Sequence, residues 1–197
     1  MRRTAAVLLV GVFCFSLCAQ FVHADGMILP LPENVNAGYL AVRYHRVTVR
    51  IEDGHAVTRV EQEFFNPHIF PVDGRYLFPI PPDAIVPRFE ATVDGEPQAV
   101  IRQGPAETNA SLYAIVTLQR DPSLLRYADW ETLAFDIDLA PGESKQMSLE
   151  YEEMLVPAGG LYHYRYVLST ERYSLLPLEE VSVSVEIRSS SGLGSVY

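Results

Sequence analysis

What most limits the folds open to this chain is an alternation of apolar and polar residues that returns in segment after segment. Val47, Val49 and Ile51 alternate with Thr48 and Arg50, and Leu133, Phe135, Ile137 and Leu139 face away from Thr132, Asp136 and Asp138. Val181, Val183, Val185 and Ile187 alternate with Ser182, Ser184, Glu186 and Arg188. A period of two belongs to a strand with one face on a core and the other in water. Turn signals separate the runs: Asp53-Gly54, Asp94-Gly95, Pro141-Gly142 and the stretch Pro157 to Gly160. Eight or nine strands so spaced predict an all-β chain, an antiparallel β-sandwich or barrel. Parallel α/β architecture needs repeated crossover helices. Here one short helix is predicted near 105–120, where Ala106, Ala110, Tyr113, Ala114 and Leu118 share a stripe.

One stretch, Gln62 to Pro82, reads strand, turn, strand, stop. Phe64 and Phe65 end a β run that Asn66-Pro67 breaks. Asp73-Gly74 reads as a turn, with Gly74 relieving it, and Tyr76 and Phe78 as anchors of the next strand in the core. Pro79, Pro81 and Pro82 read as the end of pairing, because proline has no N–H to give a ladder. Gln62 falls on the apolar face with Val60 and Phe64, so it must be hydrogen-bonded there; an unpaired buried amide costs ~1–3 kcal/mol. Further on, Arg88 to Val93 and Gln98 to Arg102 read as a second hairpin, and Met147, Leu149 and Tyr151 point inward.

The N-terminus has the build of an export signal: Arg2 and Arg3, an apolar run from Val7 to Cys18, then a cut between Ala24 and Asp25. The run is shorter than the ~20 residues that cross a bilayer, so no stable membrane span is expected after cleavage. The organisation expected is therefore 1–24 signal peptide, 25–38 extended lead-in, 39–170 the sandwich, and 171–197 a last strand with a Ser/Gly linker. Location is expected to be secreted or extracytoplasmic, in a periplasm or at a cell surface. Cleavage would remove both cysteines, Cys14 and Cys18, leaving packing alone to hold the domain. It would leave 13 basic against 25 acidic residues, a net charge of −12. Such acidity argues against nucleic acid or an anionic membrane as partner.

The candidates for chemistry are few. His45, His55, His68 and His163 have no metal-ligand spacing, and no G-x-S-x-G elbow is present. Asp136 and Asp138, with Glu150 and Glu152 on the next strand, read as a solvated acidic face rather than a cation site. No catalytic residue, cofactor site or metal site is predicted. Tyr162, Tyr164 and Tyr166 fall on a single face. They read first as a core stripe and second as an exposed aromatic surface for carbohydrate or a protein partner.

Several blocks occur in an order that resembles the VIT domain, named from vault proteins and inter-alpha-trypsin inhibitor heavy chains. They are Gln62-x-Phe64-x-Asn66, then Gly74-x-Tyr76-x-Phe78-Pro79, then Pro141-Gly142 followed by Leu149-x-Tyr151. The resemblance runs from about Tyr39 to Thr170. It departs in the middle, where the family often has a charged helix and this chain has Ser111-Leu112-Tyr113-Ala114-Ile115-Val116. The resemblance implies a β-sandwich interaction or adhesion module without catalytic role, with an unidentified protein as partner. It also implies a C-terminal von Willebrand type A domain in a longer chain. The D-x-S-x-S pentad of such a domain is absent, since Asp121-Pro122-Ser123-Leu124-Leu125 does not supply it. The competing function is a secreted carbohydrate-binding or carbohydrate-active sandwich that uses the tyrosine row.

Overall fold

The computed structural model describes residues 26–31, 40–80, 84–119, 127–166, 168 and 174–196. The leader, the Ala24–Asp25 junction, Pro81 and Pro82 lie outside the described residues. Within them run ten strands and one helix: β1 (Met27–Pro30), β2 (Ala41–Glu52), β3 (His55–Phe65), β4 (Val72–Ile80) and β5 (Arg88–Val93) come first. Then follow β6 (Glu96–Pro97), β7 (Ile101–Gln103), α1 (Pro105–Gln119), β8 (Glu131–Leu139), β9 (Ser144–Met154) and β10 (Glu180–Arg188). A four-stranded sheet has the order β1-β4-β8-β7, and a six-stranded sheet the order β10-β2-β3-β9-β5-β6. The sandwich and the one short helix are as expected, but the helix buries Thr108 and Leu112, while Ala106, Ala110 and Tyr113 of the expected stripe are exposed.

Period two puts the apolar sets of the two sheets face to face. Tyr76 and Phe78 of β4 and Leu133, Phe135, Ile137 and Leu139 of β8 meet Val60 and Phe64 of β3 and Met147, Leu149 and Tyr151 of β9. Aromatic rings fix the stacking at the centre: Tyr76 lies on Phe135 at 4.9 Å, meets Phe64 edge-on at 6.1 Å, and Phe78 tilts against Tyr151 at 5.4 Å. The far side of the four-stranded sheet is apolar over half its width. Met27, Leu29, Leu77 and Ala134 are covered there by Leu112 of α1 and by Tyr127. That second cover explains why β4 is buried on both faces from Tyr76 to Ile80.

Five expectations about strand pairing need correction. Two concern pairing along the first half of the chain. The lead-in is not merely extended, because Met27–Pro30 pairs with Gly74–Leu77 as an edge strand. Asp73-Gly74 is not a turn but lies inside β4. A side chain on Gly74 would sit 2.5 Å from Ile28 Cγ2 and 3.3 Å from the Leu29 carbonyl, so glycine is there to let β1 close in.

The other three concern strand ends and directions. Pro79 does not end the pairing; it faces Thr132 of β8 at a point where β1 has already finished, so the missing N–H deprives no neighbour. Gln98–Arg102 does not return against β5. That hairpin stops after the Gln98 N–H donates to the Ala91 carbonyl, because Pro97 cannot extend the ladder, and Ile101–Gln103 crosses to pair with β8. The last strand, β10, runs parallel to β2 in unbroken register from Glu180↔Tyr44 to Arg188↔Glu52, so the six-stranded sheet is mixed.

Candidate interaction surface

The residues of the Gln62 to Pro79 blocks are placed as structural fasteners. Gln62 is fully buried; its Nε2 donates to the Gly26 carbonyl at 3.1 Å and its Oε1 accepts from the Tyr76 hydroxyl at 3.2 Å. This joins β3, β4 and the chain entering β1. Asn66 is equally buried, just past the end of β3. Its Nδ2 donates to the carbonyls of Phe70, Leu139 and Ala140 at 2.9–3.1 Å, and its Oδ1 accepts from the His68 N–H. Its own backbone receives the Gly142 N–H and donates to the Glu143 carbonyl. Asn66 thus ties the β3–β4 connection to the Pro141-Gly142 turn, where Gly142 takes φ +71°. Phe64, Tyr76, Phe78 and Tyr151 are core. At this end of the sandwich the tied loop holds Ile69 almost wholly in solvent, beside Phe70 stacked on His68.

The tyrosine row is built differently from either reading of the alternation. Leu161 to Tyr166 forms no strand and runs as a strap over the inner face of the six-stranded sheet. Tyr164 bonds the Thr58 hydroxyl at 2.6 Å, and Tyr166 bonds His45 Nε2 at 2.9 Å. Tyr162 lies over Gly54, where any added side chain would strike its ring. His45, Thr58, Val47 and Val49 beneath are all buried. The row therefore divides. Tyr164 and Tyr166 are half-buried and spend their hydroxyls on the sheet, while Tyr162 is exposed. Burial holds the Tyr151 phenol well above its usual range, and burial likewise raises Tyr164, which lies against it.

Past the strap the inner face is open among the described residues. Val181, Val183 and Val185 of β10 continue the rows of His45, Val47 and Val49, yet they are 50%, 46% and 41% exposed. The strand is not frayed. The Glu179 N–H donates to the Arg43 carbonyl at its start, and at its end the Asp53 N–H donates to the Arg188 carbonyl while the Ser190 N–H donates to Asp53. That last bond lowers the Asp53 pKa. On the outer face Arg46 grips Glu180 through Nε and Nη2, at 2.8 and 2.6 Å. No period rule shows this face as open, since alternation reports which way side chains point and not what lies opposite them.

The acidic residues do not converge. Asp136 and Asp138 belong to β8 and pair with Arg75 and Lys145, while Glu150 and Glu152 lie on β9 in the other sheet, Glu152 against His55 and Arg88. Among the described residues no three histidine, cysteine or carboxylate side chains come together as a metal site would require. Among them, too, no helix is long and apolar enough to cross a membrane.

The family model of the vault protein inter-alpha-trypsin domain matches residues 42–151. A presumed nutrient-binding protein from Legionella pneumophila has a similar structure, with a TM-score of 0.55 at 14% identity, over 78% of this chain and 51% of that one. The chain thus spans about half the length of that protein. An M1 zinc metallopeptidase from Deinococcus radiodurans matches over 82% of this chain and 33% of its own, with a TM-score of 0.37 at 14% identity. The curated proteins compared give no match.

Proposed function

This chain belongs to the vault protein inter-alpha-trypsin domain family, and on that premise we propose that it is a non-catalytic protein–protein interaction or adhesion module acting outside the cytoplasm. The observation that carries the reading is the row Val181, Val183 and Val185, held in regular register on a docked strand and left open to solvent. Exposed apolar rows of this kind mark surfaces that another protein covers. The buried polar side chains support it from the other direction. Gln62, Asn66, Thr58 and His45 spend their hydrogen bonds on the fold. A von Willebrand type A domain following in a longer polypeptide would belong to the same proposal, as would an export signal cut between Ala24 and Asp25. The carbohydrate reading keeps Tyr162 alone as an open ring and is not favoured.

The test is cross-linking on the exporting cell with the whole natural protein. Replacing Val181, Val183 and Val185 by serine should abolish the cross-linked species while leaving the amount of folded protein unchanged. Retention of the same species by the triple variant would overturn the proposal.

A further inference from the structure

The four sheet edges among the described residues are not treated alike. β1 has four residues and ends in Pro30, β7 has three, and β6 has two, of which one is Pro97. Short strands and prolines are how proteins keep an edge from pairing with another chain. β10 is the exception. It has nine residues, contains neither proline nor lysine, and keeps unbroken register with β2. Its outer edge carries no strand among the described residues.

The strand is also complementary to itself. Turned about Ser184, Glu180-Val-Ser-Val-Ser-Val-Glu-Ile-Arg188 sets Val183 opposite Val185, Val181 opposite Ile187, and Glu180 opposite Arg188. Opposite charges directly across an antiparallel pair stabilise it, and like charges do the reverse. Moving the centre to Val183 would put Glu180 opposite Glu186, and a shift by a single residue would send valines to the serine face. Among these registers the one centred on Ser184 alone joins the apolar row into one stripe and matches the charges at both ends. Glu180 can take up Arg188 of the second copy while Arg46 holds it from within the chain, since a carboxylate has about four acceptor sites, and Arg188, whose Nε and Nη2 go to Glu186 of its own chain, keeps Nη1 to give.

We propose that the occupant of this edge is a second copy of the same chain, paired antiparallel through β10 about Ser184 in a two-fold dimer whose six-stranded sheets run on as one. This rests on the reading of the valine row as an interaction surface and names its partner. The two copies present the same patch to each other, the commonest arrangement in soluble oligomers.

The experiment uses the full chain with Cys14 and Cys18 changed to serine, carrying either Ser184→Cys or Ser182→Cys. At the two-fold axis the Ser184 Cα atoms would stand about 4.5–5.5 Å apart, within reach of a disulfide. Ser182 would face Glu186 of the other copy, about 13 Å along the strands from its own equivalent. Oxidation should therefore give roughly tenfold more disulfide-linked dimer from Ser184→Cys than from Ser182→Cys. Sedimentation of the parent chain should show twice the monomer mass, and hydrogen exchange should show β10 amides protected in step with concentration. Equal linking by the two variants, or a monomer at every concentration, overturns the inference, as does concentration-independent protection by another part of the same chain. A monomer that still needs the valine row for cross-linking on the cell would leave the interaction reading standing and remove only the second copy.

Discussion

Asn66 shows how much can depend on a single amide. Its Nδ2 faces three carbonyls, those of Phe70, Leu139 and Ala140, and its backbone is bonded in both directions to the Pro141–Glu143 segment. A carboxylate has the same shape and no hydrogens to give. Asn66→Asp should therefore cost more than Asn66→Ala, for which a buried carbonyl left without a donor already costs ~1–3 kcal/mol. The two variants should also differ in their response to pH. The carboxyl introduced by Asn66→Asp, set among carbonyls, would have its folded-state pKa raised, so its neutral form is the one the fold accepts. Its stability is then present below the unfolded pKa and is lost as pH rises through the folded one. Urea unfolding at pH 4 and pH 7 checks this. The aspartate variant should recover on acidification and the alanine variant should not, and parallel behaviour of the two would count against the three-carbonyl account.

The elements of the fold differ in how legible they are in the sequence. Gln62 can be assigned to the buried face by parity alone, because it sits two residues from both Val60 and Phe64. The Asp53-Gly54 and Asp94-Gly95 turns are equally plain, and all four residues take positive φ there. Asp73-Gly74 has the same composition and lies within a strand, because close approach of a neighbouring backbone asks for glycine as a turn does. The direction of β10 is not legible, since alternation is the same for parallel and antiparallel pairing. Nor can alternation distinguish a strap from a strand at Tyr162, Tyr164 and Tyr166. The strap carries its own prediction. Tyr151 and Tyr164 both have raised pKa values caused first by burial, so their phenols must stay protonated while it is seated. Stability from these groups is complete below the ordinary tyrosine pKa near 10 and falls as pH climbs above it. Phenolate absorbance and loss of β-sheet signal should then rise together above about pH 10. Tyr164→Phe, which removes one of the two phenols, should move that transition to higher pH. Phenolate formation well before any loss of structure would contradict it.

At the scale of the molecule, the matched family region and the folded unit do not have the same limits. The family model ends at residue 151, whereas the sheets take in β1 before it and β10 after it, with the strap between. Tyr166 on His45 and Tyr164 on Thr58 bracket Val47 and Val49, which are buried on the face the strap crosses. Cutting after residue 151 would remove strap and β10 together, with the last three residues of β9. It would open Val47 and Val49 to water, at roughly 1.5–3 kcal/mol for each fully exposed side chain, and take the Tyr166 and Tyr164 hydroxyls away from His45 and Thr58. Those losses are comparable to the ~5–15 kcal/mol that holds a typical domain. Cutting after residue 170 keeps the strap and removes β10 together with Ser174, Leu175, Leu178 and Glu179, which tie the approach to β10 onto β2 and the core, so β2, now twelve residues of open edge, becomes prone to pairing with other chains. Three chains starting at Gly26 and ending at 151, 170 and 196 should thus rank in melting temperature in that order. The shortest should lack a cooperative transition, and the middle one should aggregate on heating. A chain ending at residue 151 that melts as the longest one does would show that strap and β10 are appended to a complete domain. The order expected here instead makes them part of its core.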